Sequence, residues 1–115
     1  MRVAILDDIH NAYDATPAVQ RLRERAEVHI FTAPFGTPEA LSGFDALIAN
    51  RERTRFTREL LAQLKDVKLI VQTGNHAYHI DFAAAREAGI QVARTTSHYD
   101  AAAGSMGSAG VVELT

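Results

Sequence analysis

Cysteine is absent from the 115 residues, which excludes disulfides and thiolate metal sites. That absence is in keeping with a cytoplasmic protein. No apolar run approaches the ~20 residues of a membrane span. Nor is there a basic stripe or polybasic patch: the formal net charge is -2. Nucleic acid and membrane surfaces are therefore not expected as partners. Only Met1-Arg2 precedes the first apolar run, too little for a secretory leader. Proline is scarce, at three residues, and two of them follow threonine, at Thr16-Pro17 and Thr37-Pro38. What remains is a 47% hydrophobic chain, long enough for one domain with a buried core.

Within that chain, short apolar runs alternate with helical patterns. Strands are expected at residues 3–6, 28–31, 46–49, 69–73 and 90–93. Thr16-Pro17 opens a helix that turns Val19 and Leu22 inward, because a hydroxyl caps the free N–H groups and proline suits the first helical position. Thr37-Pro38 repeats the signal for a short turn. Thr57 opens a helix with Leu60, Leu61 and Leu64 as its apolar stripe, and Asp81 opens one over 82–88 that Gly89 stops. Strands and helices alternating at this spacing predict an α/β fold with a parallel sheet.

The stretch from Leu69 through Asp81 organises the rest. It reads as a buried strand, a glycine turn at Gly74, a polar loop and a helix start. In an open parallel sheet, ligands bind beyond the carboxyl ends of the strands. N–H groups after Gly74 are thus placed to hold an anion such as a carboxylate. Beyond residue 95 the texture changes to Ala, Gly and Ser. Residues 96–107 read as a hinge loop and 108–115 as the start of a helix carrying Val111, Val112 and Leu114.

Other residues invite chemistry. His76 and His79 lie three apart, but zinc needs three or four ligands in fixed geometry, and nothing specifies the others, so no metal site is expected and the two are read as lining the cleft rim. Arg51 and Arg53 carry guanidinium forks that match a carboxylate; the alternative pairs them with Glu52 or Asp8. Asp7-Asp8 after the first strand is similar to the acidic pair of response-regulator receivers. Asn50 stands where such a receiver needs its phosphate-accepting aspartate, which makes a degenerate receiver the weaker alternative.

Several segments then occur in a telling order: Arg51-Glu52-Arg53-Thr54, Thr57-Arg58-Glu59-Leu60-Leu61, Leu69-Ile70-Val71-Gln72-Thr73-Gly74, His79-Ile80-Asp81-Phe82-Ala83-Ala84-Ala85, Gly89-Ile90-Gln91-Val92 and Val111-Val112-Glu113-Leu114-Thr115. This set resembles the amino-terminal part of the D-isomer-specific 2-hydroxyacid dehydrogenases. The resemblance implies a flavodoxin-like substrate domain over 1–95, with five parallel strands in the order 2-1-3-4-5. It implies that 96–107 is a hinge and that 108–115 begins an interdomain helix leading to a Rossmann NAD-binding domain that these residues do not include.

The resemblance also implies an oxidoreductase that transfers hydride between NAD or NADP and a small 2-hydroxy or 2-oxo acid. Gly74, Asn75, His76 and Ala77 match the loop that holds the substrate carboxylate, and Arg51 matches an arginine common at the end of the third strand. His76 stands where the family often has a second glycine, and Gly107 where it often has asparagine. The catalytic arginine, glutamate and histidine of the family map to no position here. Gly104, Gly107 and Gly110 recur every three residues rather than as G-x-G-x-x-G. This chain alone is therefore expected to lack catalytic residues, bound cofactor and turnover. Its expected partners are the acid, the Rossmann domain and further copies in a homo-oligomer; a non-catalytic association module is the other alternative.

Overall fold

A computed structural model of the chain describes residues 1–50, 53–73, 79–96, 99–100, 105–106 and 111–114. β1 (Arg2–Ile5) leads to α1 (Pro17–Arg23), β2 (Glu27–Ile30), a 3-10 turn (Pro38–Leu41) and β3 (Ala46–Asn50). α2 (Arg58–Gln63), β4 (Leu69–Thr73), α3 (Phe82–Glu87) and β5 (Gln91–Thr96) follow. The helix starts are those the side chains dictate. Thr16 Oγ1 accepts from Val19 N, Thr57 Oγ1 from Leu60 N and Asp81 Oδ1 from Ala84 N, at 3.3, 3.2 and 3.0 Å. Thr37 precedes its turn without a side-chain cap. Gly89, at φ 77°, ends α3 in the left-handed conformation that glycine adopts most easily.

β1 to β5 pair in parallel in the order β2-β1-β3-β4-β5, as a flavodoxin-like sheet requires. Register places Ala4, Leu47, Ile70 and Val92 side by side across four strands. All four are buried, and they pack with Leu61 and Leu64 near α2 and with Ala84 and Ala85 of α3. α1 packs against β2 and buries Val19. On the sheet face opposite Leu47 and Ile70, Ile48, Leu69 and Val71 stay only half-buried. Exposed Arg58 and Glu87 pair between α2 and α3, and that hydrogen bond, then the charge of Glu87, raises the Arg58 guanidinium above its usual pKa. No helix among the described residues is long and apolar enough to cross a membrane.

Of the stretch 108–115 expected to start a helix, the described residues 111–114 are extended. Val111–Leu114 is a strand, β8, antiparallel to β5. β-branched valines suit an extended pleat better than a helical turn, and the outer edge of β5 offers unpaired backbone groups that such a strand satisfies. Within the stretch read as a hinge, β6 (Tyr99–Asp100) and β7 (Ser105–Met106) pair antiparallel.

Phe56 joins the sheet side of α2 to the segment before α3, through a parallel bridge to Ile80, and its side chain is fully buried. Phe56→Ala leaves a cavity in the core cluster and is expected to cost about 3–5 kcal/mol, read as a lower urea midpoint at unchanged slope.

Candidate functional site

The carboxyl ends of β1, β3 and β4 converge on a polar cluster that begins with Asp7. Leu6 N–H donates to Ile48 O and Asp8 N–H to Phe31 O, each at 2.9 Å, so the chain stays anchored past the end of β1. Asp7 itself sits at φ 57°, a left-handed conformation that costs a non-glycine residue about 1–2 kcal/mol. Its surroundings offset that strain. The Asp7 carbonyl accepts from Arg53 Nη1 at 2.7 Å and from Asn50 Nδ2 at 3.3 Å, and its carboxylate accepts from Thr54 Oγ1.

Asp8 is 1% exposed because its carboxylate is turned into its own loop. Oδ1 accepts from Ala12 N at 2.8 Å and Oδ2 from Tyr13 N at 3.0 Å. The acidic pair that resembled a receiver's therefore serves to shape the β1–α1 loop. Tyr13 in turn donates its hydroxyl to Asn50 Oδ1 at 3.2 Å. Thr73 Oγ1 lies 3.3 Å from both Asn50 Oδ1 and Ala49 O. Asn50 thus links the ends of β1, β3 and β4 to the loop after β1.

Beside this cluster lies an open cleft of about 300 Å³ lined by Asp8, His10, Ala12, Tyr13, Asn50 and Arg53. With Asp8 consumed by backbone N–H groups, Arg53 supplies the cleft with positive charge. Among the described residues Arg53 forms no ion pair; the expected partner Asp8 is engaged elsewhere, and Arg53 holds the Asp7 carbonyl instead. A guanidinium at the rim of a cleft is suited to an anionic ligand.

The candidate carboxylate-holding residues Arg51, Gly74, Asn75, His76 and Ala77 lie outside the described residues. Their chain neighbours are well placed, since Asn50 and Thr73 are register partners at the carboxyl ends of β3 and β4. His79, expected at the cleft rim with His76, is instead buried, and its Nε2 lies 2.8 Å from Gln72 Oε1. Burial accords with the bond from Phe56 N–H, which donates to His79 O at 2.8 Å and ties the residue to the fully buried Phe56. Among the described residues no three His, Cys, Asp or Glu side chains converge as metal ligands. Tyr13, Thr54 and Thr73 complete the cluster, although sequence spacing singles out none of them for this site. Thr73 ends β4 and Thr54 follows soon after β3, but Tyr13, deep in the β1–α1 loop, carries no such local signal.

Residues 3–106 match the model of the family described as D-isomer specific 2-hydroxyacid dehydrogenase, catalytic domain. Comparison with curated protein sequences gives no match. Among solved structures, the chain is similar to a phosphoglycerate oxidoreductase from Vibrio cholerae O395, at 36% identity and TM-score 0.77, covering 85% of this chain and 32% of that one. It is also similar to the NAD-dependent formate dehydrogenase from Staphylococcus aureus in complex with NAD, at 26% identity and TM-score 0.67 over 82% of this chain and 32% of that one. A Salmonella D-lactate dehydrogenase matches at 26% identity and TM-score 0.66, covering 82% and 29%. The chain spans about a third of the length of these proteins.

Asn50→Ala is expected to destabilise the fold by about 1–3 kcal/mol, because the Asp7 carbonyl and two hydroxyls lose a buried partner. Tyr13→Phe costs less, about 0.5–1.5 kcal/mol. In a double-mutant cycle read by urea unfolding, the two effects are expected to sum to more than the double variant loses, since both remove one bond.

Proposed function

The chain belongs to the D-isomer specific 2-hydroxyacid dehydrogenase family, as its catalytic domain, and on that premise we propose that it supplies the acid-holding wall of an oxidoreductase cleft. In this reading Gly74, Asn75, His76 and Ala77 hold the carboxylate of a small 2-hydroxy or 2-oxo acid through backbone N–H groups, with Arg51 beside them. One observation carries the proposal. Asn50 and Thr73 stand level at the carboxyl ends of adjacent parallel strands, so the two candidate segments leave the sheet from neighbouring points, next to the Arg53 cleft. That is the edge at which open α/β sheets bind ligands.

The nucleotide is proposed to sit elsewhere. In a dinucleotide fold, the pyrophosphate rests on a glycine-rich turn after the first strand. Here the first glycine of the chain is Gly36, two buried carboxylates follow β1, and the N–H groups of Ala12 and Tyr13 are already bound to Asp8. These residues do not fit the cofactor. NAD or NADP, which supplies the redox chemistry, is assigned to a Rossmann domain outside residues 1–115, with the interdomain connection beginning after residue 95. The catalytic acid–base groups are assigned there too. A cytoplasmic homo-oligomer accompanies this reading, with half-buried Ile48, Leu69 and Val71 on one sheet face as the apolar surface favouring association.

Incubated with NADH and either glyoxylate or hydroxypyruvate, the purified chain is expected to leave absorbance at 340 nm unchanged over the no-enzyme control; steady NADH oxidation overturns the assignment of the chemistry to another domain. Sedimentation velocity is expected to show dimers or larger species at high concentration, and a strictly monomeric profile counts against the oligomer.

A further inference from the structure

The strand order itself marks one place at the carboxyl edge of the sheet. β1 pairs with β2 on one side and with β3 on the other. The chain therefore leaves β1 toward β2, resumes on the far side at β3, and then runs outward to β4 and β5. Right-handed crossovers put the helices of those two halves on opposite faces of the sheet. The loops after β1 and β3 part as a result, and an open sheet of this order has its ligand crevice at that point. The open cleft of about 300 Å³ lies there. His10, Ala12 and Tyr13 come from the loop after β1, and Asn50 and Arg53 from the end of β3 and the segment beyond it. That volume suits a small ligand.

One wall of this cleft is built on strained backbone. Asp7 and Asn11, at φ 57° and 49°, are the non-glycine residues with positive φ among those described, and both belong to the loop after β1. Strain of this kind persists where surrounding bonds over-determine it, and it gathers at binding sites. Here Asp8 supplies the bonds. Its Oδ1 and Oδ2 accept from Ala12 N and Tyr13 N, and its carbonyl accepts from Asn11 N at 2.9 Å.

What the cleft presents to a ligand depends on which groups are already used. Asp8 carries the carboxylate of the lining, yet both its oxygens are bonded and the residue is 1% exposed. The Tyr13 hydroxyl donates to Asn50 Oδ1. Arg53 is exposed and spends one N–H on the Asp7 carbonyl, out of the five that a guanidinium carries. That bond steadies the fork and leaves donors to spare, in the planar geometry that matches the oxygens of a carboxylate or phosphate. His10, on the β1 side, is also exposed, and its ring offers a further donor.

We propose that the cleft between β1 and β3 is an oxyanion subsite in which Arg53, aided by His10, binds the terminal carboxylate or phosphate of a small organic acid. Two oxygens of that group meet the N–H groups that the Asp7 carbonyl leaves unused. The subsite does not draw on the role proposed for residues 74–77, and each can fail without the other.

The test is titration of the full chain with inorganic phosphate and, separately, with acetate, at fixed ionic strength so that screening stays constant, read in amide ¹H–¹⁵N spectra. Saturable shifts in the millimolar range are expected at His10, Ala12, Tyr13 and Arg53, and the anion that binds more tightly identifies the group the cleft takes. Arg53→Gln is expected to weaken binding about tenfold. Because that change also removes the bond to the Asp7 carbonyl, Ala12→Asp serves as a second variant. Ala12 is exposed and keeps its N–H bond to Asp8, so the change adds a carboxylate to the cleft without touching the core. Binding is expected to fall about tenfold there too. Arg25→Gln, at an exposed arginine just past α1, is expected to leave affinity within about twofold. Shifts that stay linear with both anions, an Ala12→Asp affinity equal to that of wild type, or an equal loss in Arg25→Gln and Arg53→Gln overturns the subsite. None of these outcomes touches the proposed function, which stands or falls on its own assay.

Discussion

The constraint on which the rest depends is the row Ala4, Leu47, Ile70 and Val92, buried level with one another on a single sheet face. Side chains of a strand alternate faces with period two, so a slip of one residue would turn this row to the opposite side. Burying it against α2 and α3 therefore fixes the register of four parallel strands at once. Strand ends follow from register. Because Leu47 and Ile70 are locked side by side, Asn50 and Thr73 must also finish side by side, and the polar cluster is assembled from what the core has already aligned.

At that edge, polar groups make up for what the backbone loses when the ladders stop. Asp8 closes its own loop, Asn50 collects the ends of three strands, and Arg53 and Thr54 hold Asp7 in a conformation it would otherwise avoid. The result is an edge rich in hydrogen bonds that carries the Arg53 guanidinium. Both carboxylates that the sequence places in the same loop are already engaged, Asp8 by the N–H groups of Ala12 and Tyr13 and Asp7 by Thr54.

Much of this was legible from residue order. Thr16, Thr57 and Asp81 declared their helices because capping is a local interaction, settled within three residues. The five parallel strands were legible as short apolar runs between those caps, and the family followed from segments kept in order. The links that make the site were not legible. Tyr13 and Asn50 are 37 residues apart and Arg53 and Asp7 are 46 apart; no periodicity connects them, and only the folded sheet does. His79 looked like a rim residue because it shares a polar stretch with His76, yet it is buried, with its carbonyl bonded to Phe56 N–H. Val111–Leu114 read as helix because a helix was expected to cross between domains, while β-branching and the free edge of β5 favoured a strand.

The level ending of β3 and β4 also bears on how such a domain tolerates change in length. An added or deleted residue inside either strand would shift Asn50 past Thr73 by one pleat and separate the segments that leave from them. In the connection between β2 and the 3-10 turn, residues 32–34, 36 and 37 are exposed, so insertions there leave the alignment intact. Variation in this architecture is thus channelled away from the sheet interior and toward peripheral loops, where new sequence can be acquired without dismantling the polar edge built around Asn50.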